Sequence, residues 1–228
     1  MLISNDNASS NKHKPSIDNN GVMLGIVLAI LAGFLFVSSD TVVKLARQEL
    51  PVAMVVWGRF TAHFLLMLFL FPGRKINKLF KVNNFKLVIF RGILLLLCTC
   101  LFFTAIGYIG LAEANSIMFI SPFFVVALSI PLLKEKVGIR RWSAVIIGFI
   151  GIVIILRPGF QEIHWAYFLI IGVAFFFALF TILTRTLSFT ETAISMWFYT
   201  ALVGMVGSST IVWYYWQTPT LSQSLMLL

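Results

Sequence analysis

The feature that most constrains this chain is a succession of long apolar segments separated by short polar or basic stretches. A helix of about 20 residues crosses the roughly 30 Å hydrocarbon core of a bilayer, because each residue adds 1.5 Å. Apolar residues make up 60% of the chain and charged residues only 11%, which is about half the charged share of a soluble domain. This composition excludes a soluble enzyme, a disordered chain and a collagen-like fibre.

The apolar runs predict an all-α, polytopic membrane helix bundle. A membrane β-barrel is disfavoured, because its strands alternate polar and apolar residues and these runs are unbroken. Pro122 and Pro131 are expected to kink the fourth span, and Arg157–Gly159 is expected to end the fifth. Seven spans are predicted, at residues 22–45, 51–71, 87–108, 112–133, 142–156, 165–184 and 192–216.

The formal net charge of +9 is explained by loop charges and requires no nucleic-acid partner. Lys and Arg concentrate in the cytoplasmic loops of membrane proteins. Two basic residues lie in the N-terminal tail, five in residues 74–86 and four in residues 134–141, and Arg185 belongs to the same alternate set of loops. The intervening loops hold Arg47 and Arg157, with Lys44 at a helix edge. This asymmetry predicts a cytoplasmic N-terminus.

A shift of about 140 residues superimposes the later part of the chain on the earlier part. Ala53 falls on Ala193 and Trp57 on Trp197, and the two stretches agree better in hydropathy than in residue identity. If the sixth span repeats the first, each repeat contains five helices. Because five is odd, the second repeat is inverted in the membrane, which is a common transporter design.

The repeat arithmetic predicts three regions. They are a polar cytoplasmic tail at 1–21, a first five-helix repeat at 22–159 and a partial second repeat at 160–228 that holds two spans and the start of a third. About three helices, roughly 65 to 75 residues, are expected beyond the last residue of this sequence. Truncation, a frameshift and a split gene remain open as explanations.

An ordered set of short motifs carries a family resemblance. The motifs are Gly58–Phe60, Phe90–Gly92, Leu111–Asn115, Ser121–Phe123, Leu133–Lys136, Ile147–Gly151 and Arg157–Gly159. As a set they resemble the EamA repeat of the drug/metabolite transporter superfamily. The resemblance implies ten helices in two inverted five-helix repeats, with both termini cytoplasmic and a substrate site between the repeats near the midplane.

Within that superfamily, residues 194–201 and 215–219 resemble S-adenosylmethionine uptake carriers of intracellular bacteria. The resemblance implies S-adenosylmethionine uptake, or its exchange for the demethylated product, across a bacterial inner membrane. Export of amino acids or drugs and an inactive truncated fragment are the alternatives. The partners expected are the lipid bilayer and a small-molecule substrate, and a homodimer or a separate C-terminal fragment remains open. We predict no catalytic site, cofactor, metal or nucleic acid.

Two ionisable residues in the second span are candidates for substrate binding. A charge at the bilayer centre costs about 3 kcal/mol, so such residues usually face a wet cavity. Arg59 lies eight residues after Pro51, roughly 12 Å into the membrane, and its planar guanidinium could bind a substrate carboxylate or serve as a structural partner. His63 follows on the same helix face and could line the same cavity, relay a proton or be structural.

Other charged candidates lie nearer the span ends. Asp40 could receive an ammonium or sulfonium group, or be neutralised by Lys44 four residues later. Arg91 could bind substrate or extend to the cytoplasmic headgroups. Glu113 and Asn115 open the fourth span, where they could bind substrate or complement the helix dipole.

Aromatic side chains in the second and seventh spans complete the candidate set. Trp57, Trp197 and Tyr199 occupy corresponding helices of the two repeats. Their rings could stack on a purine or attract a sulfonium by a cation–π interaction, and ordinary bundle packing is the alternative. The predicted substrate-binding residues are therefore Arg59, Trp57, His63, Asp40, Arg91, Glu113, Asn115, Trp197 and Tyr199.

Overall fold

The computed structural model describes residues 19–71, 80–133, 138–156, 164–220, 223–224 and 226. Predictions about the first 18 residues, Arg157–Gly159 and most of Leu133–Lys136 concern residues outside these ranges. Within the described ranges the chain forms eight helices. They are α1 (Asn19–Glu49), α2 (Val52–Leu70), α3 (Phe85–Ala105), α4 (Leu111–Met118), α5 (Ser121–Leu133), α6 (Ile139–Leu156), α7 (Ala166–Leu187) and α8 (Ala193–Val212).

All seven predicted spans are helical, which confirms the all-α polytopic membrane bundle. The third span ends at Ala105 and the seventh at Val212, each a few residues earlier than predicted. The fifth corresponds to α6. Among the described residues, six segments are long and apolar enough to cross a membrane: Met23–Glu49, Val52–Leu70, Phe85–Ala105, Leu111–Leu133, Ala166–Leu187 and Ala193–Val212.

The fourth predicted span is broken into α4 and α5. The backbone N–H of Ile120 donates to the carbonyl of Ile117, 2.9 Å away, and this three-residue spacing tightens and ends α4. Pro122 lies in the first turn of α5, where a missing N–H costs nothing. The expected kink at Pro122 is therefore a complete break, whereas Pro131 lies inside α5.

Met1–Ser39 and Asp40–Leu228 form separate compact units, and the packing described here is that of the second. In this unit α3 packs against α2, α7 and α8, and α2 also packs against α8. Helix α7 contacts α4 and α5, and α6 contacts the same two helices. Helix α3 therefore lies at the centre of the contacts between the earlier and later parts of the chain.

Two clusters of buried apolar side chains lie towards opposite ends of α3. One cluster surrounds Phe103 and Ile106 near its C-terminal end. The other includes Val88 near its N-terminal end, together with Leu187 and Met196. Because lipid is as apolar as these side chains, close packing and hydrogen bonding hold the helices together more than the hydrophobic effect does.

Small residues of α8 allow this close packing. A Cβ atom added at Gly204 would overlap the ring of Phe60 on α2, and one added at Gly207 would lie 2.6 Å from a leucine side chain of α3. These small residues of α8 therefore allow close contact with α2 and α3. In contrast, the space around Gly148 and Gly151 of α6 is open within 4 Å among the described residues.

We expect Gly204→Ala to lower the free energy of unfolding by about 1–3 kcal/mol, because overpacking forces α2 and α8 apart. Gly172→Ala on α7 is the matched control, since its added methyl group meets open space. Thermal unfolding of the detergent-solubilised variants measures the difference. Combining Gly204→Ala with Phe60→Leu should recover part of the loss. Equal melting temperatures for the two glycine variants would contradict the close contact.

Candidate functional site

An ion pair between α1 and α2 is the first element of the candidate site. Arg59 Nη1 lies 3.8 Å from Asp40 Oδ1, with the aspartate side chain 5% exposed and the arginine side chain 33% exposed. Arg59 is the eighth residue of α2, so it lies about 11 Å along the helix. Lys44, the alternative partner of Asp40, instead donates to the carbonyl of Ile109 at 3.0 Å. The buried carboxylate is therefore matched by Arg59.

Aromatic rings lie beside this pair and one turn further along α2. The guanidinium carbon of Arg59 lies 5.3 Å from the centroid of the Phe103 ring. The rings of His63 and Trp197 meet edge to face with centroids 5.4 Å apart. Trp197 is 54% exposed, so one side of it is available to a ligand. Arg59 and His63 share a face of α2, as their four-residue spacing predicts.

The other two aromatic candidates point elsewhere. The indole N–H of Trp57 donates to the hydroxyl of Ser209 at 3.0 Å, which joins α2 to α8. Tyr199 is buried, and its hydroxyl donates to the carbonyl of Phe80 at 3.4 Å. Trp197 and Tyr199 are two residues apart on one helix and so face nearly opposite directions. The three predicted aromatic residues therefore do not form one cage.

Arg91 is buried among the helices of the bundle. Only 4% of the residue is exposed. Its Nε donates to the hydroxyl of Thr184 at 2.7 Å, and its Nη1 donates to the hydroxyl of Thr200 at 2.7 Å and the carbonyl of Met196 at 3.2 Å. The guanidinium carbon also lies 4.3 Å from the centroid of the Phe180 ring.

Glu113 and Asn115 lie at the start of α4. Glu113 accepts a hydrogen bond from the backbone N–H of Gly110 and another from the hydroxyl of Tyr167, both at 3.3 Å. The first contact caps the helix, and the second joins α4 to α7. Asn115 is half-buried two residues later. These contacts hold Glu113 at the start of α4 and against α7.

Sequence reasoning missed Glu191, a buried carboxylate between α7 and α8. Its two oxygens accept hydrogen bonds from the backbone N–H of Asn83, at 2.9 and 3.1 Å, and one oxygen accepts from that of Asn84 at 2.7 Å. The side-chain amide of Asn83 donates a hydrogen bond to the carbonyl of Thr190 at 2.7 Å. A carboxylate here satisfies free N–H groups at the start of α3. The partners lie over 100 residues apart, so no local sequence signal marks them.

A cleft of about 360 Å³ opens between α2, α3 and α8, and its walls are almost entirely apolar. It too escaped sequence reasoning, because its walls come from three distant segments. Within the described ranges, no group of three His, Cys, Asp or Glu side chains could hold a metal ion. The residues lining the cleft are Pro51, Val52, Ala53, Val56, Cys100, Ser208, Ile211 and Tyr215.

Apolar spanning helices with charged side chains held between them define a multi-pass membrane protein with polar sites inside the bilayer. The model of the EamA-like transporter family matches residues 23–157, which is more than half of the chain. The chain therefore belongs to the EamA-like transporter family, within the drug/metabolite transporter superfamily that its motifs resemble.

Three curated relatives illustrate the range of the family. The S-adenosylmethionine uptake transporter of Rickettsia bellii is 32% identical over 139 residues, which cover 61% of this chain and 48% of the relative. The pseudopaline exporter of Pseudomonas aeruginosa is 27% identical over 83% of this chain and 66% of its own length. The riboflavin transporter of Vibrio cholerae is 27% identical over 84% of this chain and 63% of its own length.

The chain matches about half the length of the S-adenosylmethionine transporters. No solved structure matches it significantly.

We expect Asp40→Asn or Arg59→Gln alone to lower the free energy of unfolding by about 2 kcal/mol, because each leaves a charge without its partner inside the bundle. The double variant should lose less than the sum of the two single losses. Thermal unfolding in detergent measures these differences, with Arg185→Gln, at an exposed position of α7, as the charge-matched control. Strictly additive losses would show that the pair contributes no coupling.

Proposed function

We propose that this chain is part of a secondary carrier that takes up S-adenosylmethionine by alternating access. The observation that carries the proposal is the Asp40–Arg59 ion pair, which places both signs of charge within apolar spans beside aromatic rings. Three relatives named as S-adenosylmethionine uptake transporters, 28–32% identical to this chain, support the substrate.

The chemistry of the substrate fits the ion pair. S-adenosylmethionine carries a carboxylate, an ammonium, a sulfonium and a purine. Arg59 would bind the carboxylate through two parallel hydrogen bonds, and Asp40 would meet the sulfonium or ammonium. A substrate that bears both charges can replace each partner of the pair, so neither buried charge is left unpaired at any stage.

Aromatic and apolar surfaces would take the purine. The exposed side of Trp197, held edge to face by His63, offers a stacking surface that also attracts a sulfonium. The apolar cleft between α2, α3 and α8 is large enough for a heterocyclic ring. In this proposal Trp57 positions α2 against α8, while Tyr199, Glu113 and Asn115 support the surrounding helices.

The helix positions support the proposed division at residues 22–159 and 160–228. Helix α2 begins at Val52 and α8 at Ala193, which agrees with a shift of about 140 residues. We propose that the two regions are inverted repeats, with an N-terminus on the cytoplasmic side of the bacterial inner membrane. Alternating access would then follow from rocking of one repeat against the other.

Export is the second candidate function. The pseudopaline exporter matches 83% of this chain, whereas the first S-adenosylmethionine transporter matches 61%. An exporter would use the same buried ion pair but would load its substrate from the cytoplasm. The direction of net transport in oriented vesicles separates the two candidates.

We expect bacterial cells that express this chain to accumulate labelled S-adenosylmethionine. Asp40→Asn and Arg59→Gln should each reduce uptake about tenfold or more, because a lost charged hydrogen bond costs about 1.5–3 kcal/mol. Arg185→Gln, at an exposed position of α7, is the control and should transport normally. Unlabelled amino acids and riboflavin serve as competitors. Absence of S-adenosylmethionine uptake at matched expression would refute the substrate assignment.

The proposed orientation predicts which loops react from outside the cell. Gln48, in the last turn of α1, and Lys81, shortly before α3, are exposed residues that precede and follow α2 in the chain. In a background with Cys98 and Cys100 replaced by alanine, we expect Gln48→Cys to react with an impermeant thiol reagent in intact cells. Lys81→Cys should react only after the cells are opened. The reverse pattern would invert the topology.

A further inference from the structure

Arg91 lies where α3 meets α7 and α8. Its hydrogen-bond partners Thr184 and Thr200, and the Phe180 ring beneath it, all belong to the later helices. We propose that Arg91 is a second carboxylate-binding residue of the carrier, which receives the substrate's one carboxylate from Arg59 at the boundary between the two repeats during alternating access. This inference rests on the proposed transport function and on the proposed repeat division.

The position of Arg91 distinguishes it from Arg59. The ion pair with Asp40 and the ring contact with Phe103 join Arg59 to helices of the proposed first repeat. Arg91 belongs to the first repeat but is held by side chains of the second. In carriers built from inverted repeats the substrate binds at the interface between them. By that criterion Arg91 is the better placed of the two cations.

The hydrogen bonds around Arg91 orient its guanidinium without neutralising it. The hydroxyl of Thr184 donates to the carbonyl of Phe180, and that of Thr200 donates to the carbonyl of Met196, each at 2.7 Å. Both hydroxyl protons are thus used within their own helices, so the oxygens are acceptors towards Arg91. Two fixed acceptors hold the planar cation in one orientation before any ligand arrives.

The same arrangement shows that the helices do not need Arg91 for their own hydrogen bonds. If the guanidinium were absent, both threonine hydroxyls would keep their bonds to helix carbonyls. A buried cation is expensive, and a purely structural contact could be made by an apolar side chain at lower cost. The retention of a charge at a self-sufficient site therefore indicates a ligand of opposite charge.

Part of the guanidinium remains unused. Within the described ranges, Nη2 of Arg91 makes no hydrogen bond, and no acidic side chain lies within ion-pair distance of it. Only 4% of the whole residue is exposed, so this nitrogen belongs to a buried side chain. Arg59 already faces a carboxylate of the protein, whereas Arg91 does not. A carboxylate of the substrate would supply both the missing acceptor and the missing negative charge.

The test compares S-adenosylmethionine with its decarboxylated analogue, which lacks only the carboxylate. The wild-type chain should transport the carboxylated compound with a kcat/KM about ten- to a hundredfold higher, because each charged hydrogen bond is worth that factor. Arg91→Gln should lower this ratio, and the part that remains is the contribution of Arg59. Thr200→Val, which removes a positioning hydroxyl but keeps the charge, should lower both rates and keep a preference. Arg185→Gln, at an exposed position of α7, is the matched control and should keep the wild-type ratio.

Stability gives an independent readout. Arg91→Met should leave the melting temperature in detergent unchanged or raise it, because it removes an uncompensated buried charge while transport is lost. A marked fall in melting temperature would show that Arg91 is a structural residue and would overturn the inference. An unchanged substrate ratio in Arg91→Gln would also overturn it.

The two proposals fail in distinguishable ways. If wild-type chain does not transport S-adenosylmethionine, the proposed substrate is wrong, and the same ratio is then measured for amino acids against the corresponding amines. A lower carboxylate preference in Arg91→Gln than in wild type for those pairs supports the inference, and an unchanged preference overturns it. If the wild-type chain transports none of these compounds, the melting temperature of Arg91→Met alone decides whether Arg91 is a ligand-binding or a structural residue.

Discussion

A lipid interior offers no hydrogen-bond partners, and the placement of polar groups in this structure depends on that constraint. Each polar side chain in a span must find its partner within the protein or lose several kcal/mol. Serine and threonine hydroxyls find a partner within their own helix, as Ser208 does by donating to the carbonyl of Gly204. Charged groups cannot be satisfied in this way, so they lie at helix contacts. Within the described ranges, Thr61 Oγ1 is the one side-chain nitrogen or oxygen atom that is itself inaccessible and has no hydrogen-bond partner.

The partly exposed Arg59 and the buried Arg91 find their partners in different ways. Arg59 is compensated by the carboxylate of Asp40, so the pair is close to neutral in the absence of substrate. Arg91 is solvated by hydroxyl and carbonyl oxygens and by an aromatic face, and its charge is not cancelled. A rocking motion between the proposed repeats would leave the first group intact and would separate the second.

The fold class and the approximate positions of the spans could be predicted from the sequence, because the length of an apolar run sets whether it spans the bilayer. The partners of the charges could not, because each is supplied by a helix far away along the chain. Thr184 lies 93 residues from Arg91, and Glu191 lies 108 residues from Asn83. Local spacing suggested Lys44 as the partner of Asp40, but Arg59 from the next helix takes that place. The sequence predicted a kink at Pro122 but not the full break between α4 and α5. The apolar run continues through the break, whereas the regular helical hydrogen bonds do not.

The carboxylate of Glu191 has a consequence for the order in which the chain matures. It completes the N-terminus of α3, although it is made 107 residues after Asn84. At about 5–20 residues per second, ribosomal synthesis delays this contact by roughly 5–20 s. During that interval α3 is in the membrane with its first N–H groups dependent on water or lipid headgroups. The start of α3 therefore gains its last hydrogen-bond acceptor only when the α7–α8 loop has been made, so the earlier helices depend on the later ones to complete their hydrogen bonds.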